Sequence, residues 1–144
     1  MDEDDVEYLE KLMTNETNEN ITNLTFKEID LRKREIITEL ELSIRYTKEL
    51  LKKLDDYRYV DEMPDLQVGR YMRWINLTKP DNIKLTNGGI LCEIKIEDAI
   101  ILILKNNMNQ FFQISMDENL VFQRLSDQEK IILYAVDYVN NKKE

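Results

Sequence analysis

Between Val68 and Leu125 the chain alternates short apolar runs with turn residues. In Ile90–Ile96, apolar and polar side chains alternate, which is the spacing of a strand with one face in the core. Turn-forming stretches rich in Asn, Asp, Gly and Pro separate this run from its neighbours. The pattern predicts six strands, at residues 68–77, 83–86, 90–96, 99–105, 110–115 and 120–125.

The run Ala99–Lys105 differs from the other runs because it is apolar on both sides. Ile100, Leu102 and Leu104 point one way, and Ile101 and Ile103 point the other way. A strand of this kind needs cover on both faces, so we expect a helix to pack on its outer face. The even spacing of the strands predicts an antiparallel meander curled into a small barrel or a strongly bent sheet.

A long helix is predicted over residues 25–57. Thr25-Phe26-Lys27-Glu28 fits a capping box, and no Gly or Pro follows before Pro64. Apolar residues at three- and four-residue steps form a seam flanked by charged side chains, as in a short coiled coil. The seam consists of Ile37, Leu40, Ile44, Leu51 and Leu54.

Two interpretations of this helix remain open. About thirty helical residues would extend roughly 45 Å, which is longer than a compact domain of this size can cover. Either the helix folds back on the chain's own sheet, or its seam binds a protein partner or a second copy through helix 26–56. A pull-down against a chain without this helix would separate the two.

A second helix is predicted to close the chain. Ser126-Asp127-Gln128-Glu129 fits another capping box, and the apolar spacing continues to about Val139. The predicted fold class is therefore α+β, with a long N-terminal helix, a small antiparallel domain of about six strands and a C-terminal helix. Three regions result: an acidic and mostly flexible front at 1–24, the helix at 25–57 and the β domain with its helix at 66–140.

The charge of the chain is negative and unevenly spread. The net charge is −9, and residues 1–30 hold 2 basic and 10 acidic side chains. Nucleic-acid backbones bind clusters of Lys and Arg, so this balance disfavours nucleic acid as a partner without excluding a local basic patch. Within the front, apolar spacing predicts a short helix over residues 4–13, followed by an Asn/Thr-rich linker.

The composition leaves few routes to catalysis. The chain has no histidine and one cysteine, Cys92, which excludes imidazole-based mechanisms and internal disulfides. Cys92 is expected to point into the core with Ile90 and Ile94, and the paired carboxylates fall in predicted loops, where they are solvated. We therefore predict no catalytic residue, no cofactor and no metal ligand, and a protein that is not an enzyme.

The N-terminal sequence and hydropathy also affect the expected location. The first five residues, Met1–Asp5, include four acidic side chains, the opposite of a basic secretory signal. No apolar run approaches the roughly 20 residues that span a bilayer. We expect an intracellular, cytoplasmic protein with no membrane contact.

One cluster mixes arginine and aromatic side chains on a predicted strand. Alternation places Arg70 and Trp74 on one face and Tyr71 and Arg73 on the other, and Arg124 on the last strand could extend the patch. Three interpretations are weighed. Trp74 is core and the arginines pair with carboxylates, or the cluster binds a protein, or it stacks nucleic-acid bases.

Several segments resemble small uncharacterised proteins encoded by nucleocytoplasmic large DNA viruses. They are Gly69–Ile75, Leu85–Ile90 and Asn119–Leu125, followed by Ser126-Asp127-Gln128-Glu129-Lys130. The likeness covers about residues 65–139 and rests on turn and cap signatures. It implies a place in a virion or in a cytoplasmic viral factory, and it carries over no catalytic residue.

Together these patterns lead to two functional hypotheses. The first is a non-enzymatic interaction or assembly component whose long helix recruits a partner or a second copy. The alternative is a nucleic-acid-associated accessory factor that uses the surface around Arg70, Arg73 and Trp74, with the acidic front as an internal mimic of phosphate.

Overall fold

The computed structural model describes residues 24–142 and, before them, Glu3 and Glu7. The predicted front helix and its linker, residues 14–25, lie outside the described residues, apart from Glu7, Leu24 and Thr25. The described chain forms two compact units. The first consists of the residues up to Glu39 together with those from Leu125 onward, and the second is Leu40–Arg124.

Between residues 24 and 142, the first unit contains two helices, α1 (Phe26–Thr38) and a C-terminal helix (Asp127–Lys142). The Thr25 hydroxyl accepts a hydrogen bond from the Glu28 N–H at 3.1 Å, as the first capping box predicts. The second box is complete, because the Ser126 N–H donates to Glu129 at 2.8 Å and the Glu129 N–H donates to Ser126 at 3.1 Å. The core of this unit consists of Ile29, Leu125, Ile132 and Leu133, with Leu24, Phe26 and Val136 packed against it.

The prediction of one long helix is wrong. The helix α1 ends at Thr38, and α2 (Ile44–Lys53) begins only after a break. Glu41 adopts a left-handed conformation with φ of 54°, which no residue inside a right-handed helix can adopt. Ser43 then caps α2, because its hydroxyl accepts from the Tyr46 N–H at 3.1 Å. A polar cap thus restarts the helix where no Gly or Pro marks an end.

The second unit contains α2 and one six-stranded sheet. The predicted strand count is correct, but two strands differ from prediction. Tyr57–Val60, predicted to end the helix, forms the first strand, and residues 83–86 form no strand beyond a single bridge from Leu85 to Ile75. The strands are β1 (Tyr57–Val60), β2 (Tyr71–Asn76), β3 (Gly89–Ile96), β4 (Ile100–Lys105), β5 (Phe111–Ser115) and β6 (Asn119–Arg124). The C-terminal helix is α3.

The strand order is β1-β6-β2-β3-β4-β5, and each strand is antiparallel to its neighbours. The predicted meander is confirmed from β2 to β5. The last strand returns to lie between β1 and β2, so the order is linear and the ladder does not close into a barrel. Two edge strands remain, β1 and β5.

The position of β6 also explains the connection between β1 and β2. Both strands run antiparallel to β6, so they are parallel to each other, and residues 61–70 must cross one face of the sheet to join them. Gln123 of β6 holds this crossing segment: its side chain accepts from the Gln67 N–H at 2.9 Å and donates to the Asp65 carbonyl at 3.3 Å. These two bonds satisfy a buried amide that would otherwise cost about 1–3 kcal/mol.

The crossed face, which we call the inner face, carries the core of the sheet. Its buried cluster consists of Val60, Leu66, Met72, Trp74, Leu91, Leu102, Leu104 and Val121. Trp74 of β2 and Phe112 of β5 have ring centroids 5.8 Å apart. Their strands are three positions apart, about 14 Å in a flat sheet. The contact therefore fits a sheet that curves around its inner face.

The doubly apolar strand β4 is covered differently from the prediction. Leu102 and Leu104 are fully buried on the inner face, in a cluster built from strand residues, Leu66 and, at its margin, Met116. Ile101 and Ile103, on the opposite outer face, stay half-buried. The expected helix therefore does not fully cover the outer face of this strand, whereas the curved sheet covers its inner face.

A bulge in β3 interrupts the alternation that was predicted for Ile90–Ile96. The pairing with β4 shifts between Leu91 and Glu93, so Cys92 is an extra residue in the ladder. Leu91 is buried, whereas Ile90 and Cys92 are exposed. The prediction that Cys92 points into the core is therefore wrong, since one added residue reverses which side chains face inward.

Candidate protein-interaction edge

The five residues of the predicted helix seam do not lie on one continuous helix. Ile37 belongs to α1, whereas Ile44 and Leu51 belong to α2, and the break lies between them. Ile37 and Leu54 are fully buried, Leu40 and Leu51 are half-buried, and Ile44 alone is widely exposed, at 77%. A continuous apolar stripe along helix 26–56 is absent from the part of the chain that the structure describes, and the coiled-coil prediction loses its basis.

The predicted arginine and aromatic surface is divided between the two faces of the sheet. Trp74 is buried on the inner face, as the core interpretation holds. Arg70, just before β2, donates to the Arg124 carbonyl at 3.2 Å and to the Gln67 side chain at 2.8 Å. Arg73, on the outer face, donates to the Thr86 carbonyl at 2.8 Å. Both arginines therefore hold neighbouring segments through these hydrogen bonds.

The strand register nevertheless places basic and aromatic side chains in one row across the outer face. Tyr57 pairs with Arg124, Tyr71 pairs with Ile90, and Ile90 pairs with Lys105, which pairs with Phe111. The pairing of Met72 with Gln123 places Arg124 beside Tyr71. The Lys105 ammonium lies 5.8 Å from the centroid of the Phe111 ring.

Tyr57 marks the inaccessible end of this row. Its burial raises the pKa of its hydroxyl, and the nearby Arg73 and Arg124 oppose that shift by favouring the phenolate. The Tyr71 hydroxyl is already hydrogen-bonded, because it donates to the Asn87 carbonyl at 2.7 Å. The accessible part of the row is therefore Arg124, Ile90 and Phe111, with Lys105 half-buried.

The free edge of β5 presents a different surface, one made of backbone groups. The Asn106 N–H donates to the Gln110 carbonyl at 3.0 Å, and hydrogen-bonded pairs alternate along an antiparallel ladder. From the register, Phe112 and Ile114 bond to β4, while Phe111 and Gln113 direct their N–H and C=O groups outward and Ser115 directs its N–H outward. The Ser115 carbonyl already accepts a hydrogen bond from the Asn119 side-chain amide at 2.8 Å. Three residues thus offer a template for one more strand.

The side chains of this edge carry no charge. Residues 106–116 contain no Asp, Glu, Lys or Arg, and no Pro. Phe111 is 64% exposed and Phe112 is 40% exposed. Edge strands are usually protected from pairing by charges, prolines or bulges. The β5 edge has none of the three, so it combines unpaired backbone groups with exposed aromatic rings.

The opposite edge differs in the features that discourage pairing. The strand β1 has four residues, Tyr57–Val60, with Asp55-Asp56 before it and Asp61-Glu62 after it. Its Arg58 is buried and lies 4.0 Å from the Asp65 carboxylate. Short length and flanking charge both oppose strand addition. Of the two sheet edges, β5 is the one suited to bind another strand.

The described residues offer little other chemistry. Among them, no group of three or more Cys, Asp or Glu side chains is placed to hold a metal ion. Within the same residues, no helix has the length and apolar character needed to cross a bilayer.

No family model, curated protein or solved structure matches this chain. The candidate site therefore rests on the geometry of the chain itself.

The β5 edge is absent from the sites that the sequence pattern predicts, although its composition signals it. The segment 106–116 is uncharged and contains Phe111, Phe112 and Ile114, and the sequence pattern correctly predicts a strand there. What the pattern does not show is that β5 ends the sheet. That position depends on β6 pairing with β1 and β2, a contact between residues far apart in sequence.

Proposed function

We propose that this protein is a non-enzymatic assembly component that accepts a β-strand from another protein along the edge of β5. The carrying observation is the uncharged β5 edge, with outward N–H and C=O groups at Phe111 and Gln113 and an outward N–H at Ser115. Strand addition derives its affinity from main-chain hydrogen bonds and its specificity from alternate side chains. The sheet thus takes the binding role first assigned to the helix seam.

The edge also defines which strand it prefers. An added strand places every second side chain beside Phe112 and Ile114 on the inner face, where Phe112 is partly exposed. Apolar side chains at those positions would extend the inner core and remove the Phe112 ring from water, at roughly 25 cal/mol per Å² buried. The expected partner segment is therefore extended, alternating and free of charge at its centre.

A model strand peptide tests this proposal. We expect the acetylated peptide Lys-Thr-Val-Thr-Val-Thr-Lys, at millimolar concentration, to shift the amide NMR signals of Phe111, Gln113 and Ser115 in a saturable manner. Gln113→Pro removes an outward N–H and should abolish the shifts while the protein stays folded. Ile114→Pro is the matched control: it removes a bond to β4 and should loosen the edge strand itself.

Two results would count against strand addition. One is the absence of shifts at β5 at the highest peptide concentration, and the other is equal binding by the wild-type protein and Gln113→Pro. If Gln113→Pro unfolds the sheet while Ile114→Pro does not, the assignment of outward and inward residues is itself reversed.

The outer-face row supports a second candidate, single-stranded nucleic acid binding. Its accessible residues include Arg124 and Phe111, and bases stack on aromatic rings beside basic side chains. The net charge of −9 opposes it. A titration with single-stranded oligothymidine at low salt distinguishes the two candidates, because nucleic acid should shift side-chain signals of Arg124 and Phe111 and leave Gln113 unchanged. The acidic front belongs to this candidate as an internal competitor whose deletion should raise the affinity.

An assembly role also suits the setting that the sequence resemblance implies. A component of a virion or a viral factory needs surfaces that join protein chains, and an open sheet edge is such a surface. We propose this setting, and with it an intracellular location, on the resemblance.

A further inference from the structure

We infer that the strand accepted by the β5 edge is β5 of a second copy, paired antiparallel about a two-fold axis at Gln113. This inference rests on the proposed function and names its partner. It is argued from the self-complementarity of the edge in its backbone groups, its side chains and its charges.

The backbone groups of β5 match those of an inverted copy. With the axis at Gln113, Phe111 lies opposite the partner's Ser115, and Gln113 lies opposite the partner's Gln113. Phe111, Gln113 and Ser115 are the residues whose backbone groups face outward. The Ser115 carbonyl accepts from the Asn119 side chain at 2.8 Å and keeps a second lone pair for the partner strand. Each opposed pair can exchange two hydrogen bonds, as narrow antiparallel pairs do. The register that uses every outward group is therefore also the symmetric one.

The side chains match in the same register. Phe112 lies opposite the partner's Ile114 on the inner face, so an exposed aromatic ring meets an aliphatic side chain on both sides of the axis. These are wide, non-hydrogen-bonded pairs, in which side chains approach most closely. The inner core of each sheet would then continue into the core of the other.

The charges permit this pairing although the whole chain is acidic. In the row through Gln113, the first charged residue is Glu93 on β3, two strands from the edge. In the pair, Glu93 and its copy would be five strand spacings apart, about 24 Å. This separation exceeds the Debye length of about 10 Å at 0.1 M salt. Repulsion between the copies is therefore screened at the interface.

Charged substitutions of Gln113, which lies on the two-fold axis, test the inference. In sedimentation velocity of the full chain, we expect a reversible dimer to appear between low and high micromolar concentration. Gln113→Lys and Gln113→Glu each place two like charges opposite one another, so each should raise the Kd of its homodimer roughly five-fold. Mixing the two variants should restore the dimer, because Lys and Glu then face each other.

A matched pair of variants controls for charge alone. Gln128 is exposed on α3, and Gln128→Lys and Gln128→Glu change the net charge by the same amounts. They should leave the Kd unchanged. Gln113→Pro should abolish the dimer, while circular dichroism shows that the sheet persists.

The outcomes separate this inference from the proposed function. A chain that stays monomeric at high micromolar concentration, yet binds the Thr-Val peptide at β5, overturns self-pairing and leaves strand addition standing. A dimer that is indifferent to every Gln113 variant also overturns it, since the contact then lies elsewhere. A chain that neither dimerises nor binds the peptide overturns both.

Discussion

Gly88→Ala is expected to destabilise the protein by about 2–5 kcal/mol, which is the sum of a backbone term and a steric term. Gly88 has a φ of +93°, where an L-residue is strained. A Cβ on Gly88 would also overlap the Met72 carbonyl oxygen and would lie 2.8 Å from the Tyr71 ring. The first contact involves the backbone of β2, which cannot move without disturbing the sheet. Urea unfolding followed by circular dichroism measures the loss.

Gly69→Ala is the control for the backbone term alone. Gly69 has the same φ of +93°, but its added Cβ would meet nothing within 4 Å. We expect a loss of about 1–2 kcal/mol from the left-handed conformation. Equal losses for the two substitutions would contradict the close approach of Gly88 to β2.

Phe122→Ala is expected to cost about 3–5 kcal/mol in the free energy of unfolding. Phe122 is fully buried in β6, which pairs with both β1 and β2. Its ring centroid lies 5.7 Å from that of Tyr59. The cavity left by alanine would lie on β6, which pairs with β1 on one side and with β2 on the other. The midpoint of urea unfolding should therefore fall sharply.

Phe111→Ala is the matched control on the same face of the sheet. Its ring is 64% exposed, so truncation should change the free energy of unfolding by no more than about 0.5 kcal/mol at a dilute, monomeric concentration. A large loss at Phe111, or a small one at Phe122, would mean that the strand order or the burial of the faces is wrong.

The correct predictions concern features that a few neighbouring residues determine. Strands β3, β4, β5 and β6 follow from local alternation or apolar runs, and both helix caps follow from a hydroxyl three residues before a Glu. The break at Glu41 was missed because neither Gly nor Pro marks it. Ser43 was the available signal, since a serine ahead of an apolar run can start a helix.

The incorrect predictions concern contacts between distant segments or single-residue shifts. Nothing near Leu120 in sequence indicates that β6 pairs between β1 and β2. The bulge at Cys92 adds one residue to the strand, so Ile90 faces the opposite way from the prediction. The candidate site depends on the first of these, because the place of β6 leaves β5 at the edge. The uncharged composition of β5 can be read from the sequence, whereas its position at the edge of the sheet cannot.

Amide hydrogen exchange along β5 tests the open edge most directly. In the dilute monomer, the amides of Phe112 and Ile114 should be protected by β4, while those of Phe111, Gln113 and Ser115 should exchange rapidly. Raising the concentration should protect the second set. Protection of all five amides in the dilute monomer would show that the edge is already covered, and it would contradict both the proposed function and the pairing of two copies.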